Sequence, residues 1–180
     1  MQRTSRRKGR GWRWRTAAVV LCGLLLLAGA AAAQRQAPAG CTLDQGRPEP
    51  LCFPLETTAW RVSDPYGWRQ DPFAGTEQFH QGVDLACAQG TPVLAAQAGV
   101  VVQARRSASY GNHLRIRHPG GWESLYAHLQ YLYVRPGEVV AQGQRLGTAG
   151  QTGRATGPHL HFELLRQGQR CDPSAALALP

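Results

Sequence analysis

From about Trp60 onward the sequence is a succession of short apolar stretches, each closed by a turn signal, and that texture limits what the chain can fold into. The stretches are Phe79–Ala86, Pro92–Ala104, His113–Arg117, Trp122–Tyr133, Glu138–Leu146 and His159–Leu165. Around them stand Asp64-Pro65, Gln89-Gly90, Tyr110-Gly111-Asn112, Pro119-Gly120-Gly121, Arg135-Pro136-Gly137, Gln142-Gly143, Ala149-Gly150 and Thr152-Gly153. Gly, Asn and Pro end regular structure because they tolerate or fix backbone angles that strands and helices do not use. No stretch sustains the period of a half-buried helix. We therefore expect an all-β class with one compact domain of short strands over residues 59–174. Residues 34–58, rich in Pro, Gly and Gln, read as a linker or arm pinned by a Cys41–Cys52 bridge, and residues 175–180 as a tail. A length of 180 residues suits a single domain with a modest core.

The formal charge of +9 suggests nucleic acid until its distribution is read. Residues 1–33 carry seven basic side chains and no acidic one. After Ala33 there are 13 arginines against 11 acidic residues, a net +2. A nucleic-acid-binding domain needs the basic patch on the domain itself, so that class is set aside. The leader has a basic opening (MQRTSRRKGRGWRWR), an apolar run (AAVVLCGLLLLAGA) and small residues at Ala31 and Ala33, the pattern of an export signal cleaved after Ala33. Retention as an anchor is the alternative, because the span 17–33 approaches the ~20 residues that cross a bilayer. Gly9 and Arg10 argue against twin-arginine export, and Leu21 before Cys22 argues against lipidation. In either case the remainder is exported, and Cys41, Cys52, Cys87 and Cys171 read as two disulfides rather than thiols. No Cys-x-x-Cys spacing supports a structural zinc site.

The chemistry-bearing residues are histidines and one aspartate. In Gly157-Pro158-His159-Leu160-His161-Phe162 the two histidines share one face if the segment is a strand, ~6–7 Å apart along the chain, with Leu160 and Phe162 on the other. Two surface histidines would fit this pattern equally well. In FHQGVDLAC, His80 and Asp84 would lie ~13 Å apart on a straight strand, too far for one ion with ligand bonds of ~2.0–2.2 Å. If both bind one ion the chain must bend, and Gly82 lies midway. An exposed carboxylate on a turn is the other reading. His128 sits among strand-forming residues, where alone it reads as a hydrogen-bonded core or edge histidine. His113 and His118 read as flanking turns. As a set, His80, Asp84, His128, His159 and His161 exceed the three ligands that a catalytic zinc with an open position takes, leaving two groups for proton transfer. No His-Glu-x-x-His helix is present.

The chain resembles the lysostaphin-type (LytM-domain) zinc endopeptidases that cut peptidoglycan peptides. The resemblance covers about Val62 to Ala175, through SDPYGWRQDPF, FHQGVDLAC, GTPVLAAQAGVV, YGNHLRIRH, SLYAHL, VVAQGQRLGTAGQTGRATGPHLHFEL and the closing Asp172-Pro173. Tyr66 departs from an expected Phe, and the pair Cys87 and Cys171 is not part of the family pattern. The resemblance implies mostly antiparallel strands forming a groove (a duplicated hybrid motif), and one zinc ion bound by His80, Asp84 and His161. It implies that His128 and His159 are the catalytic pair, one handling the proton of the attacking water and the other assisting the leaving amine. It also implies a peptidoglycan peptide substrate met outside the cytoplasm, by a protein that is secreted, wall-associated or tethered through residues 17–33. It indicates neither nucleic acid nor an oligomer. The walls of the groove would be Arg69–Thr76, Arg105–Tyr110 and Arg154–Thr156. Since the ligand-bearing segments must be neighbours, a Cys87–Cys171 bridge would tie them together and contribute ~2–4 kcal/mol.

Two other classes compete. Some members of this family are idle scaffolds or activators of another wall hydrolase, but these do not need all five positions. A lipoyl-type carrier, suggested by VRPGEVVAQGQRLG, needs a modifiable lysine, and Lys8 in the leader is the only one.

Overall fold

The structure is a computed structural model that describes residues 50–179; the leader, most of the arm and Cys41 lie outside them. Among the described residues there is no α-helix, and no helix long and apolar enough to cross a membrane. The strands are β1 (Arg61–Asp64), β2 (Gly67–Gln70), β3 (Glu77–His80), β4 (Val83–Ala86), β5 (Pro92–Leu94), β6 (Gly99–Ser107), β7 (Gly111–Arg117), β8 (Trp122–Leu132), β9 (Val139–Val140), β10 (Arg145–Ala149), β11 (His159–Arg166) and β12 (Gln169–Cys171). The main sheet runs β1-β4-β11-β8-β7-β6-β9, with β12 on β11, β10 on β8 and β5 on β10, and β2-β3 form a separate ribbon. All of these pairings are antiparallel, as the resemblance implied.

Alternation along β4 and β11 sorts the sheet into two faces. Leu160 pairs with Leu85 and Phe162 with Val83, and these four bury into the main core with Leu114, Ile116, Tyr126 and Leu146. Each such side chain contributes ~1.5–3 kcal/mol when fully removed from water. Asp84, His159 and His161 take the opposite face because side chains alternate with a period of two. That face has its own small apolar floor of Leu125, Ala127 and Leu165, with Tyr110 against it.

The core also holds a polar chain. His118 Nδ1–H donates to the Ala98 carbonyl at 2.9 Å, its Nε2 lies 2.7 Å from the Ser124 hydroxyl, and Ser124 and Tyr126 share a hydrogen bond of 2.9 Å. The Tyr126 oxygen accepts the Ala96 amide at 2.8 Å. His113 lies inside β7 and His118 just beyond it, and both are buried. Burial holds the His118 pKa below its ordinary value.

Four features differ from the reading of the sequence. Residues 175–179, read as a tail, pack on the domain: Leu177 is buried in the main core, with Ala176 and Leu179 against it. Phe79–Ala86 is two strands in two sheets, and Pro92–Ala104 and Glu138–Leu146 each divide into two strands of the main sheet. The stretch 51–56, read by composition as linker, belongs to the domain: Leu55 is 4% exposed in the core and bridges to Val93, and the Cys52 amide donates to the Ala96 carbonyl. The Cys87–Cys171 bridge does not form. Cys87 is a free thiol, and the ladder explains why. Ala86 pairs with His159 at one end of β11, whereas Cys171 pairs with Leu164, roughly 17 Å further along at strand spacing. Cys52 is likewise a free thiol.

Candidate metal centre

The centre is assembled by strand register. Asp84 is the direct cross-strand partner of His161, which also faces Ala127 of β8. In an antiparallel pair such partners have Cβ atoms ~4.5–5.5 Å apart, so two donors meet without any loop. His80 ends β3 in the ribbon and pairs with Gly67 there, and the chain passes to β4 through Gln81-Gly82. This is the bend that the His80/Asp84 spacing demands. Gly82 is required at it: a methyl group there would overlap the Phe162 carbonyl oxygen and press on the His161 ring.

The donor atoms converge. His80 Nε2 lies 3.1 Å from His161 Nδ1 and 3.3 Å from Asp84 Oδ1, and His161 Nδ1 lies 2.7 Å from Asp84 Oδ1. Three ligands held at ~2.0–2.2 Å in tetrahedral geometry stand roughly 3.4 Å apart. The other ring nitrogens decide which atoms carry lone pairs. His80 Nδ1–H donates to the Pro65 carbonyl at 2.8 Å, and His161 Nε2 lies 3.2 Å from the Glu163 carboxylate. With both protons committed outward, two imidazole lone pairs and a carboxylate oxygen point at one place. Such a cluster calls for a cation, and the three residues form a group able to hold a metal ion. Without one, protons answer instead. Burial acts to lower the His161 pKa, but the bonds to Asp84 and Glu163 outweigh it and raise it to about 9. Burial likewise opposes ionisation of Asp84, yet His161 and His80 hold its carboxyl far below the ordinary range.

His128 and His159 complete the cavity. Their ring centroids are 4.7 Å apart, and the His128 ring is 5.8 Å from that of His161. His128 has a left-handed backbone, φ 61°, uncommon for a residue with a Cβ. The cause is a bulge: between the pairs Leu114↔Tyr126 and Asn112↔Leu129, β8 carries one residue more than β7. The extra residue turns the imidazole toward the His80, Asp84 and His161 group. Its Nδ1–H donates to the Thr152 carbonyl at 2.8 Å, which leaves Nε2 as an acceptor. Thr152 is itself fixed, its hydroxyl donating to the Leu129 carbonyl and accepting the Asn112 amide. Burial, with His159 and His161 nearby, holds the His128 pKa down at about 4. His159 repeats the arrangement: Nδ1–H donates to the Gly157 carbonyl at 2.8 Å, and Nε2 lies 3.7 Å from Asp84 Oδ2.

These groups line a cavity of about 420 Å³ whose rims come from the three loops named from the sequence. Two rims are clasped together. Arg154 makes hydrogen bonds of 2.8 and 2.6 Å to the two oxygens of Asp71, and its guanidinium stacks 4.5 Å over the Phe73 ring. The clasp, the Thr152 and Pro65 carbonyls, and Glu163 were not singled out from the sequence. Glu163 had a legible signal, since 159, 161 and 163 fall on one strand face. A backbone carbonyl has none.

An antiparallel groove with a two-histidine, one-carboxylate cluster and two further histidines defines a β-domain with a group that could hold a metal ion. Residues 78–173 match Peptidase family M23, and the chain belongs to that family. A similar relative is the DD-carboxypeptidase/endopeptidase Mpg of Neisseria meningitidis serogroup B, 45% identical over 120 residues, or 67% of this chain and 27% of that protein. Among solved structures, a zinc-containing peptidase from Vibrio cholerae superposes with a TM-score of 0.65 at 33% identity, over 76% of this chain and 43% of that one. The catalytic domain of lysostaphin from Staphylococcus simulans gives 0.61 at 32% identity, over 66% and 92%. The matched region thus spans about a quarter of the length of the curated relatives.

Proposed function

We propose that this chain is a zinc-dependent endopeptidase that hydrolyses peptide bonds in the cross-links or stem peptides of peptidoglycan. The observation that carries this reading is the convergence of His80 Nε2, Asp84 Oδ1 and His161 Nδ1 in a cavity that His128 and His159 also line. The names of the similar proteins, a DD-carboxypeptidase/endopeptidase and a zinc-containing peptidase, support it. So does the filling of all five expected positions, which an idle scaffold would not need.

His80, Asp84 and His161 would hold one zinc ion. Zinc supplies polarisation of the scissile carbonyl and lowers the pKa of a water to ~7. His128, neutral near pH 7 and with its Nδ1–H tied to Thr152, takes the proton of the attacking water at Nε2. The Nε2–H so formed on His128 then supplies the proton that the leaving amine needs, while His159, tied through Nδ1–H to Gly157, presents its Nε2 lone pair to the same cavity and assists by accepting a hydrogen bond from the leaving amine. Both rings need no reorientation, because a backbone carbonyl already fixes each tautomer. The substrate strand lies in the cavity that the clasped rims border. The polymer lies outside the cytoplasm, so residues 1–33 act as an export signal or anchor in this reading.

The deciding experiment incubates the purified protein with cell walls of known cross-link type, with zinc and with a chelator, and identifies released peptides by mass spectrometry. Zinc-dependent release of new amino termini is expected. Walls left intact by zinc-loaded protein would overturn the assignment.

A further inference from the structure

Behind His161 lies a buried polar group that the mechanism above leaves unused. Glu163 is 0% exposed, beside the apolar floor of Leu125 and Leu165. A carboxylate in such a place costs several kcal/mol unless it is paired and hydrogen-bonded, and an apolar side chain of similar size would fill the space without that cost. Both its oxygens are engaged. Oε1 accepts the Tyr110 hydroxyl at 2.5 Å and lies 3.2 Å from His161 Nε2, and Oε2 accepts Arg170 Nε at 2.8 Å. Arg170 also reaches the Tyr110 hydroxyl at 3.4 Å, and the Tyr110 ring packs 5.7 Å from that of His161. The Arg170 charge cancels that of Glu163, so the pair orients the imidazole without altering the net charge contributed by Asp84.

Resting on the metal-ligand reading above, we propose that Glu163 is a positioning residue of the centre. It takes the Nε2–H of His161, fixes the tautomer that turns the Nδ1 lone pair toward His80 and Asp84, and is itself held by Tyr110 and Arg170. A carboxylate on the far nitrogen of a ligating imidazole also raises the donor strength of the near one, and losing such a partner typically weakens metal binding ~10–100-fold.

The test measures zinc affinity of the metal-free full chain by competition with a chromophoric chelator, in wild type, Glu163→Gln and Glu163→Leu. Glu163→Leu is expected to bind ~10–100-fold more weakly. Glu163→Gln, whose amide oxygen still accepts from Nε2–H, is expected to fall between that and wild type. In the 15N-labelled zinc-loaded protein the His161 Nε2–H should exchange slowly in wild type and fast in Glu163→Leu, a change that a merely structural role would not produce. If Glu163→Leu does not fold, the Gln variant decides by the same two measurements. Wild-type affinity in the variants, with wild type binding zinc, overturns the inference alone. Failure of wild type to bind zinc overturns the metal reading and this inference with it.

Discussion

His128 combines a left-handed backbone, a buried ring and a backbone carbonyl that claims one of its nitrogens. Removing its imidazole leaves the His80, Asp84 and His161 atoms where they are. We expect His128→Ala and His159→Ala to keep one zinc per chain while cleavage falls ~10²–10⁴-fold, and His161→Ala to lose both, as metal analysis beside a peptide-release assay would read. Normal zinc content in His161→Ala would refute the ligand set. Gly82→Ala should be as damaging as a ligand loss, because the methyl overlaps the Phe162 carbonyl and presses on His161. Overpacking of this kind costs ~1–3 kcal/mol, measurable by urea unfolding of the metal-free protein. At this scale much was legible: strand alternation puts His159 and His161 on one face, and the His80/Asp84 spacing calls for a bend at Gly82. Pairing of Asp84 with His161 was not legible, since register depends on which strands become neighbours. Neither were the carbonyls of Pro65, Gly157 and Thr152 that set the tautomers.

At the scale of elements, the sequence separates strands well where they are long and apolar, as in β8 and β11, and poorly where they are short and polar. β1 (Arg61–Asp64) and β2 (Gly67–Gln70) carry exposed and half-buried residues in alternation, so they lack an apolar run. The β3/β4 division is hidden because Phe79 at the end of β3 and Val83, Leu85 and Ala86 of β4 read as one stretch across Gln81 and Gly82, which cross between sheets. The loops differ again, for their composition gives no sign that Arg154 of one would find Asp71 of another. That clasp sets the spacing of two rims. Arg154→Ala is expected to raise KM about tenfold, equivalent to ~1.4 kcal/mol of binding, with kcat little changed. Steady-state kinetics on a soluble cross-linked peptide separates the two constants; an unchanged KM would remove the rims from substrate binding.

For the whole molecule, stability carries a pH signature from His118. Its folded pKa lies below the ordinary value of ~6.5, so on acidification the unfolded chain takes the proton first. The stabilisation from keeping this ring neutral is complete above about pH 6.5 and is lost as pH falls below it, by at most ~1.4 kcal/mol per pH unit for one proton. Unfolding free energies at pH 7 and pH 5 should therefore differ more in wild type than in His118→Gln, and equal differences would discard this contribution. The all-β architecture was legible because punctuation and apolar runs repeat through the whole domain. The packing of residues 51–56 was not, because one buried leucine among prolines resembles a linker.

The three donors do not belong to one sheet. His80 stands on the β2-β3 ribbon, whereas Asp84 and His161 stand on the main sheet. An ion shared by them, as proposed above, would be a rivet between two plates, and its binding energy would double as tertiary stability. Stripping it with a chelator should lower the melting temperature and loosen the ribbon first, so that proteolytic nicking begins between β2 and β3. An enzyme so built would forfeit its catalyst and one wall of its groove in the same event.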